Sequence, residues 1–334
     1  MENPRTLIGE LTSRLAEDPN ALTKKPDFGQ YAVREAPGET VRRQEAHMTQ
    51  LLNGQKQAVA GSDARFRFGP KPDNIRTLVW LGEFTVGGSY PVVIAGPCAV
   101  EDQESFLRIA AACKAAGANA LRGGAFKPRT SPYSFQGLGK EGLKILARAR
   151  EQLGMPVCSE VLDTRDVELV ARYVDVLQIG VRNMHNYALL TEAGRSGLPV
   201  LLKRDFGATV QEWCLAAEYI LSTGNDKVIL CERGIRTFEP STRYTLDIAA
   251  VPLILQESHM PVIVDPSHAA GKRSLVAALG RAGIAAGAHG LIVEVHDNPA
   301  VADCDGAQAL LPNDLQSLVA SVSRIAEACK TTDD

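Results

Sequence analysis

VVIAGPC (92–98), VIVDPSH (262–268) and LIVEVH (291–296) follow one pattern. Each is a short run of branched, apolar residues that ends on a side chain able to ligate a metal: Cys98, His268 and Glu294. Runs that are apolar on both faces suit strands of a buried parallel sheet. Asp305 follows the last run by a short loop, in ADCDGAQAL (302–310). A thiol, an imidazole and two carboxylates form a mixed donor set for a divalent ion such as Mn, Fe, Co or Zn. Spread across most of the chain, these four residues can meet only if the fold gathers strand ends.

The same rhythm recurs outward from these runs. Strands are expected at 92–95, 120–122, 157–160, 176–179, 200–203, 228–231, 262–265 and 291–295, with helices such as 104–116, 142–153, 210–222 and 275–286 between them. Eight β-α units over residues 91–334 match the size and period of a (β/α)8 TIM barrel, an α/β fold with its active site at the strand C-termini. An open doubly wound sheet is the alternative, but it would gather ligands at one switch point, whereas candidates here follow nearly every strand. Residues 76–90 read as a β-hairpin, alternating at 77–80 and 83–86 around Gly82. Residues 1–75 read as a helical extension, with patterns at 7–15 and 41–52 broken by Pro19, Pro26 and Pro37, and with FGPKPDN (68–74) as a linker.

Composition narrows the function. The 334 residues are 45% apolar, enough for a large core. A net charge of -3, from 36 basic and 39 acidic residues, gives no reason to expect nucleic acid or an anionic membrane as partner. No apolar run is long enough to span a bilayer, and the N-terminus lacks the order of a secretory signal. Seven scattered cysteines without a CxxC pair fit a reducing cytoplasm.

The expected strand ends carry many cations: Arg122, Lys127 and Arg129 after the second, Arg182 after the fourth, Lys203 and Arg204 after the fifth, Arg233 after the sixth. Glu160 and Asp265 join them after the third and seventh. Cations converging beside a metal imply a strongly anionic, phosphorylated substrate. In LRGGAFKPRTSPYSFQG (121–137), Gly123-Gly124 would let backbone amides approach a ligand, although a turn is the usual reason for such a pair. Lys127, Arg129, Thr130 and Ser131 add two charges and two hydroxyls suited to a sugar phosphate.

AGPCAVE, LRGGAFKPRTSPYSFQG, LQIGVRN, LLKR, ILCERGIRTFE, DPSHAAGKR and LIVEVH followed by DGAQ resemble 3-deoxy-D-arabino-heptulosonate 7-phosphate (DAHP) synthase. The likeness is to the type I class, in its β subgroup related to 3-deoxy-D-manno-octulosonate 8-phosphate synthase, and covers about residues 76–320. It implies condensation of phosphoenolpyruvate with erythrose 4-phosphate, the first step of the shikimate route to aromatic amino acids, in a homo-oligomer (dimer or tetramer). It further implies metal binding by Cys98, His268, Glu294 and Asp305. Phosphoenolpyruvate would lie against Arg122, Lys127, Arg182, Lys203 and Arg233. Erythrose 4-phosphate would lie against Lys127, Pro128, Arg129, Thr130 and Ser131, with Asp265 near its hydroxyls. Lys127, Cys98 and His268 would be catalytic, Lys127 as the proton donor to the aldehyde oxygen.

His296 shares a strand side with Glu294 and is expected to act as a neighbour or local cap rather than a ligand. His185, His259 and His289 are expected on the surface or in loops, and Cys304 as a small core or surface residue. Asp205 stands where the resemblance has glycine, and Val181 where it commonly has alanine. Asp205 either points into the site, altering the aldose used, or turns to solvent. Two rivals therefore stand: the same chemistry on another phosphorylated aldose, and a non-catalytic regulatory paralogue.

Overall fold

Strands β3–β10 close on themselves in the order β10-β3-β4-β5-β6-β7-β8-β9, every pair parallel. They are Val92–Gly96, Ala120–Arg122, Val157–Glu160, Val176–Ile179, Val200–Lys203, Val228–Glu232, Val262–Val264 and Gly290–Glu294. A helix or helix pair follows each: α1 Gln103–Ala115, α2 Lys140–Leu153, α3 Val167–Ala171, α4 Tyr187–Arg195, α5 Val210–Leu221, α6 Ala250–Glu257, α7 Pro266–Ala270 with α8 Arg273–Ala285, and α9 Pro312–Lys330. The chain is thus a (β/α)8 barrel. This computed structural model describes residues 66–71 and 75–330; the helical patterns expected at 7–15 and 41–52 lie outside them. No helix of the described residues is long and apolar enough to cross a membrane.

Local chemistry explains where the elements start and stop. Asp102 caps α1 by accepting from Ser105 N, and Thr209 and Glu212 form a reciprocal capping box at α5. α2 ends at Gly154 in the left-handed conformation that glycine adopts freely. β9 stops at Val264, one residue before its expected end, because Asp265 leaves the strand to cap α7, with Pro266 in that helix's first turn.

The strand pleat divides the barrel into two chemistries. Val93, Ala95, Leu121, Val157, Leu177, Leu202, Leu230, Val264, Leu291 and Val293 face the helix layer and join the main core. Val92, Ile94, Ala120, Cys158, Val176, Leu201, Ile229, Cys231, Ile263 and Ile292 face inward and form a separate apolar cluster. The hairpin β1 (Val79–Leu81) and β2 (Phe84–Val86) seals that cluster, inserting Val79, Leu81 and Val86. β1 starts two residues later than the alternation implied, because Thr77 N is taken by His259 O.

Residues 66–71 are tied to the barrel rather than hanging as a linker. Glu218 on α5 accepts from the amides of Arg67 (2.9 Å) and Phe68 (3.1 Å). His259 Nε2 donates to Arg67 O (2.8 Å), which leaves Nδ1 to accept from Thr77 Oγ1 (2.7 Å). His259 is therefore a loop residue, as expected, but a buried and structural one.

Candidate active site and metal centre

One pleat above the inward apolar cluster, the next inward positions are Arg122, Glu160, Gln178, Lys203, Arg233, Asp265 and Glu294. All are buried. Cys98, His268 and Asp305 come from the loops just beyond. The ligand atoms of Cys98, His268, Glu294 and Asp305 all lie within 4.8 Å of one another. His268 Nε2 is 3.2 Å from Glu294 Oε1 and 3.6 Å from Asp305 Oδ2, and Cys98 Sγ is 3.4 Å from that same Oδ2. The sequence expectation for this quartet corresponds to one compact cluster.

Each member is oriented by a neighbour. Asp265 accepts from His268 N (2.9 Å) and from His268 Nδ1 (2.7 Å), so Nε2 is the nitrogen turned to the cluster. Lys127 Nζ lies 3.0 Å from Cys98 Sγ and 3.0 Å from Cys98 O. Arg243 donates to Asp305 Oδ1 (3.2 Å), and Gln308 donates to Glu294 Oε2 (2.5 Å). Glu294 Oε1 is buried and makes no hydrogen bond. Burial pushes the Glu294 carboxyl up to about 7, with Cys98 adding to the rise and His268 opposing it. Asp305 adopts φ 54°, a left-handed conformation that aspartate tolerates better than most residues.

A cavity of about 310 Å³ opens onto this cluster. Arg122, Lys127, Arg129, Arg182, Lys203, Arg233 and Arg243 line it, together with Pro128, Thr130, Ser131, His268 and Asp305. Nε and Nη1 of Arg122 and Nη1 of Arg233 are buried without a hydrogen-bond partner. Buried donors that no protein group satisfies are what an anion-binding site presents before its anion arrives. Arg233 lies flat on Tyr244, 4.3 Å from the ring centroid, and Tyr244 stacks on Phe206 at 5.5 Å. Arg182 Nη1 reaches Pro128 O at 3.3 Å and so joins two of the lining loops.

Several expectations need correction. Asp265 is fully buried between Lys203 Nζ (2.5 Å) and His268, and is not on the cavity wall, so it stands behind the imidazole rather than facing a sugar hydroxyl. Arg204 does not face the cavity. It follows inward-facing Lys203, so the pleat turns it outward to Glu232 (3.0 Å) and Asp247 (2.7 Å). The amides of Gly123 and Gly124 are bonded to Cys158 O and Cys98 O, not offered to a ligand. A Cβ on Gly124 would stand 2.7 Å from Lys127 Cδ, so glycine there makes room for the lysine. Asp205 folds back to accept from Gly207 N (2.8 Å) and does not line the cavity. His296, by contrast, is the local cap expected: it accepts from Asn298 N (3.0 Å).

Cys304 was missed. Its Sγ lies 3.1 Å from Cys98 Sγ and 2.8 Å from Arg129 Nη1, inside the cavity. Arg243 and Gln308 were missed as well. They lie in a loop and on a single helical turn, without periodicity, and only their closeness in sequence to Tyr244 or Asp305 could have drawn attention to them.

The DAHP synthetase I family matches residues 71–331. A phospho-2-dehydro-3-deoxyheptonate aldolase of Thermotoga maritima is 52% identical over 252 residues, 75% of this chain and 75% of that one. A 2-dehydro-3-deoxyphosphooctonate aldolase of Syntrophobacter fumaroxidans is 36% identical over 248 residues, covering 69% of this chain and 85% of that one. Among solved structures, the Thermotoga maritima DAHP synthase superposes with a TM-score of 0.76 at 49% identity, covering 79% of this chain and 77% of that one. A truncated form of the 3-deoxy-D-arabino-heptulosonate 7-phosphate synthase from Thermotoga maritima gives 0.73 at 46% identity and is covered over 96% of its length. With its barrel and these likenesses, the chain is an enzyme belonging to the DAHP synthetase I family.

Proposed function

We propose that this chain condenses phosphoenolpyruvate with erythrose 4-phosphate and water to give 3-deoxy-D-arabino-heptulosonate 7-phosphate and inorganic phosphate. The observation that carries this reading is a single cavity that joins a four-donor cluster to buried guanidinium donors lacking acceptors. Cys98, His268, Glu294 and Asp305 would hold a divalent ion of the Mn, Fe, Co or Zn kind, since sulfur, nitrogen and oxygen donors suit borderline metals. When bound, such an ion supplies Lewis acidity to the aldehyde oxygen.

The remaining chemistry belongs to the side chains. Arg122, Lys203, Arg233 and Arg182 bind the phosphate and carboxylate of phosphoenolpyruvate and hold its C3 towards the aldehyde. Pro128, Arg129, Thr130 and Ser131 seat the phosphate of the aldose on the facing wall. C3 bonds to the aldehyde carbon, and the aldehyde oxygen takes a proton, becoming a hydroxyl. Lys127, an ammonium lying between the two walls beside Cys98, is the donor. Positive charge at C2 is met by water. One of the water's protons returns to Lys127. Cleavage of the bond between C2 and the phosphate oxygen then releases phosphate, which takes the remaining proton of the new C2 hydroxyl, and leaves the ketone. Asp265 acts through His268 by fixing the imidazole tautomer. The four-carbon aldose is favoured because Asp205, the residue that raised another substrate, is turned to its own loop.

Phosphate release tests this. With Mn(II), phosphoenolpyruvate and erythrose 4-phosphate, release should be rapid, at least about tenfold faster than with a pentose 5-phosphate. A chelator should abolish it and added Mn(II) restore it. Full activity in stripped enzyme would sink the metal assignment. Preference for the pentose phosphate would sink the substrate assignment. Metal binding without turnover on either aldose would favour the regulatory paralogue.

A further inference from the structure

We infer that Gln308 and Arg243 are positioning residues that hold one oxygen of each metal-binding carboxylate so that the other faces the centre, an inference that rests on the metal reading above. Gln308 is only 2% exposed, so both ends of its amide need partners. Its Oε1 accepts from Arg243 Nη1 at 3.1 Å, and its Nε2 donates to Glu294 Oε2 at 2.5 Å. A guanidinium can only donate, which decides the orientation of the amide: oxygen to Arg243, nitrogen to Glu294. The same Nη1 reaches Asp305 Oδ1 at 3.2 Å.

Three of the four cluster residues then show one arrangement. Glu294 gives Oε2 to Gln308 and turns Oε1, which has no hydrogen bond, towards His268 Nε2. Asp305 gives Oδ1 to Arg243 and turns Oδ2 to Cys98 and His268. His268 gives Nδ1 to Asp265 and turns Nε2 inward. Local structure links the two braces. Asp305 and Gln308 lie on one turn, with Gln308 N bonded to Asp305 O at 3.2 Å, so a ligand and its neighbour's brace are placed together. Glutamine suits position 308 because it ties Arg243 to Glu294 without adding a third carboxylate to the two already there. A glutamate would repel Glu294 Oε2, whereas a methionine would fill the space and donate nothing.

The test uses full-length protein stripped of metal and titrated with Mn(II) by calorimetry. Wild type should bind one ion per chain. Gln308→Met and Arg243→Met should weaken Mn(II) binding roughly 10- to 100-fold, the usual cost of losing a group that orients a ligand. Gln308→Glu should weaken it at least as much as Gln308→Met. At saturating Mn(II) the KM of Gln308→Met for phosphoenolpyruvate should stay within about threefold of wild type, since Gln308 does not line the cavity. The thermal midpoints of the metal-free variants should match metal-free wild type within a few degrees. Mn(II) affinity within twofold of wild type in both methionine variants would overturn the inference. So would a raised KM with unchanged metal affinity, which would make Arg243 a substrate contact. If Gln308→Met fails to fold, Arg243→Met, at an exposed position, decides alone. A wild type that binds no Mn(II) would overturn the metal reading itself, and this inference with it.

Discussion

The two ends of the barrel interior are built by the same strands and differ by a single pleat. At the N-terminal end, Ala120, Cys158, Val176, Leu201, Cys231, Ile263 and Ile292 share one buried cluster with Val79, Leu81 and Val86 of the hairpin. Two residues further along each strand the inward positions are Arg122, Glu160, Gln178, Lys203, Arg233, Asp265 and Glu294. The first end gains free energy by removing apolar surface from water. The second holds buried ionic groups, some of whose atoms make no hydrogen bond, which oppose folding until an anion or a cation compensates them. Stability and chemistry are thus separated along one axis, and substitutions at the two ends should have separable effects.

The largest of these effects belongs to the hairpin plug. Leu81 is almost fully buried within the inward apolar cluster. Leu81→Ala should destabilise the protein by about 2–5 kcal/mol through lost transfer energy and the cavity left behind. Its kcat/KM at 25 °C should stay within about twofold of wild type. Thermal denaturation beside steady-state kinetics reads both quantities. A variant of wild-type stability with impaired turnover would break the separation.

The converse substitution is Arg233→Met, which keeps an apolar side chain of similar length and deletes a buried charge whose guanidinium carbon lies 4.3 Å from the Tyr244 ring centroid. A lost charge-assisted contact of about 1.5–3 kcal/mol should lower kcat/KM for phosphoenolpyruvate roughly 10- to 150-fold. The thermal midpoint should not fall by more than a few degrees, because the buried Nη1 removed makes no hydrogen bond within the protein and only the contact with the Tyr244 ring is lost. A large loss of stability would show that the cation supports the fold instead of the ligand.

Regularity decides what the sequence alone reveals. Strands repeat every two residues and the β-α unit repeats eight times, so the barrel and the cations at strand ends are visible as pattern. Cys98, His268 and Glu294 are visible for the same reason, each lying at or just past a strand end. The errors arise where pattern stops. Arg204 looks like Lys203 in one dimension, and only the pleat shows that they face opposite ways, one to Glu232 and one to the cavity. Asp265 looks like a ligand-facing carboxylate until its capping of α7 and its contact with His268 are seen. Cys304 and Arg243 sit in irregular loops and Gln308 on a single helical turn, where spacing says nothing about direction. The burial of His259 within its loop is not legible either, because the segment that covers it, 66–71, carries no periodic signal.

The smallest predicted effect sharpens the comparison at the N-terminal end, where a histidine titrates within the apolar half. His289 precedes β10, and its Nδ1 accepts from Val262 N at 3.2 Å. Burial, then repulsion from Arg76, pushes its pKa down from 6.5 to about 4. Between these two values the unfolded chain binds a proton that the native chain does not, so stability rises with pH across that window. Read downward, the contribution is intact above about pH 6.5, is lost progressively as pH falls, and levels off below about pH 4. One pKa unit corresponds to about 1.4 kcal/mol, and screening of the partly exposed ring should reduce the total to about 1–2 kcal/mol. Carboxylates also titrate at the acid end of the range, and His259, likewise held low by burial, contributes in the same direction. The informative quantity is therefore the difference between wild type and His289→Gln, which keeps an acceptor for Val262 N but has no proton to gain. Measured as thermal midpoints in metal-free protein, the wild-type curve should fall away from the variant's between pH 6.5 and 4 and run parallel to it outside that window. Curves that stay parallel throughout would mean that the ring is hydrated in the native state, and that the N-terminal end of the barrel is less dry than its apolar lining implies.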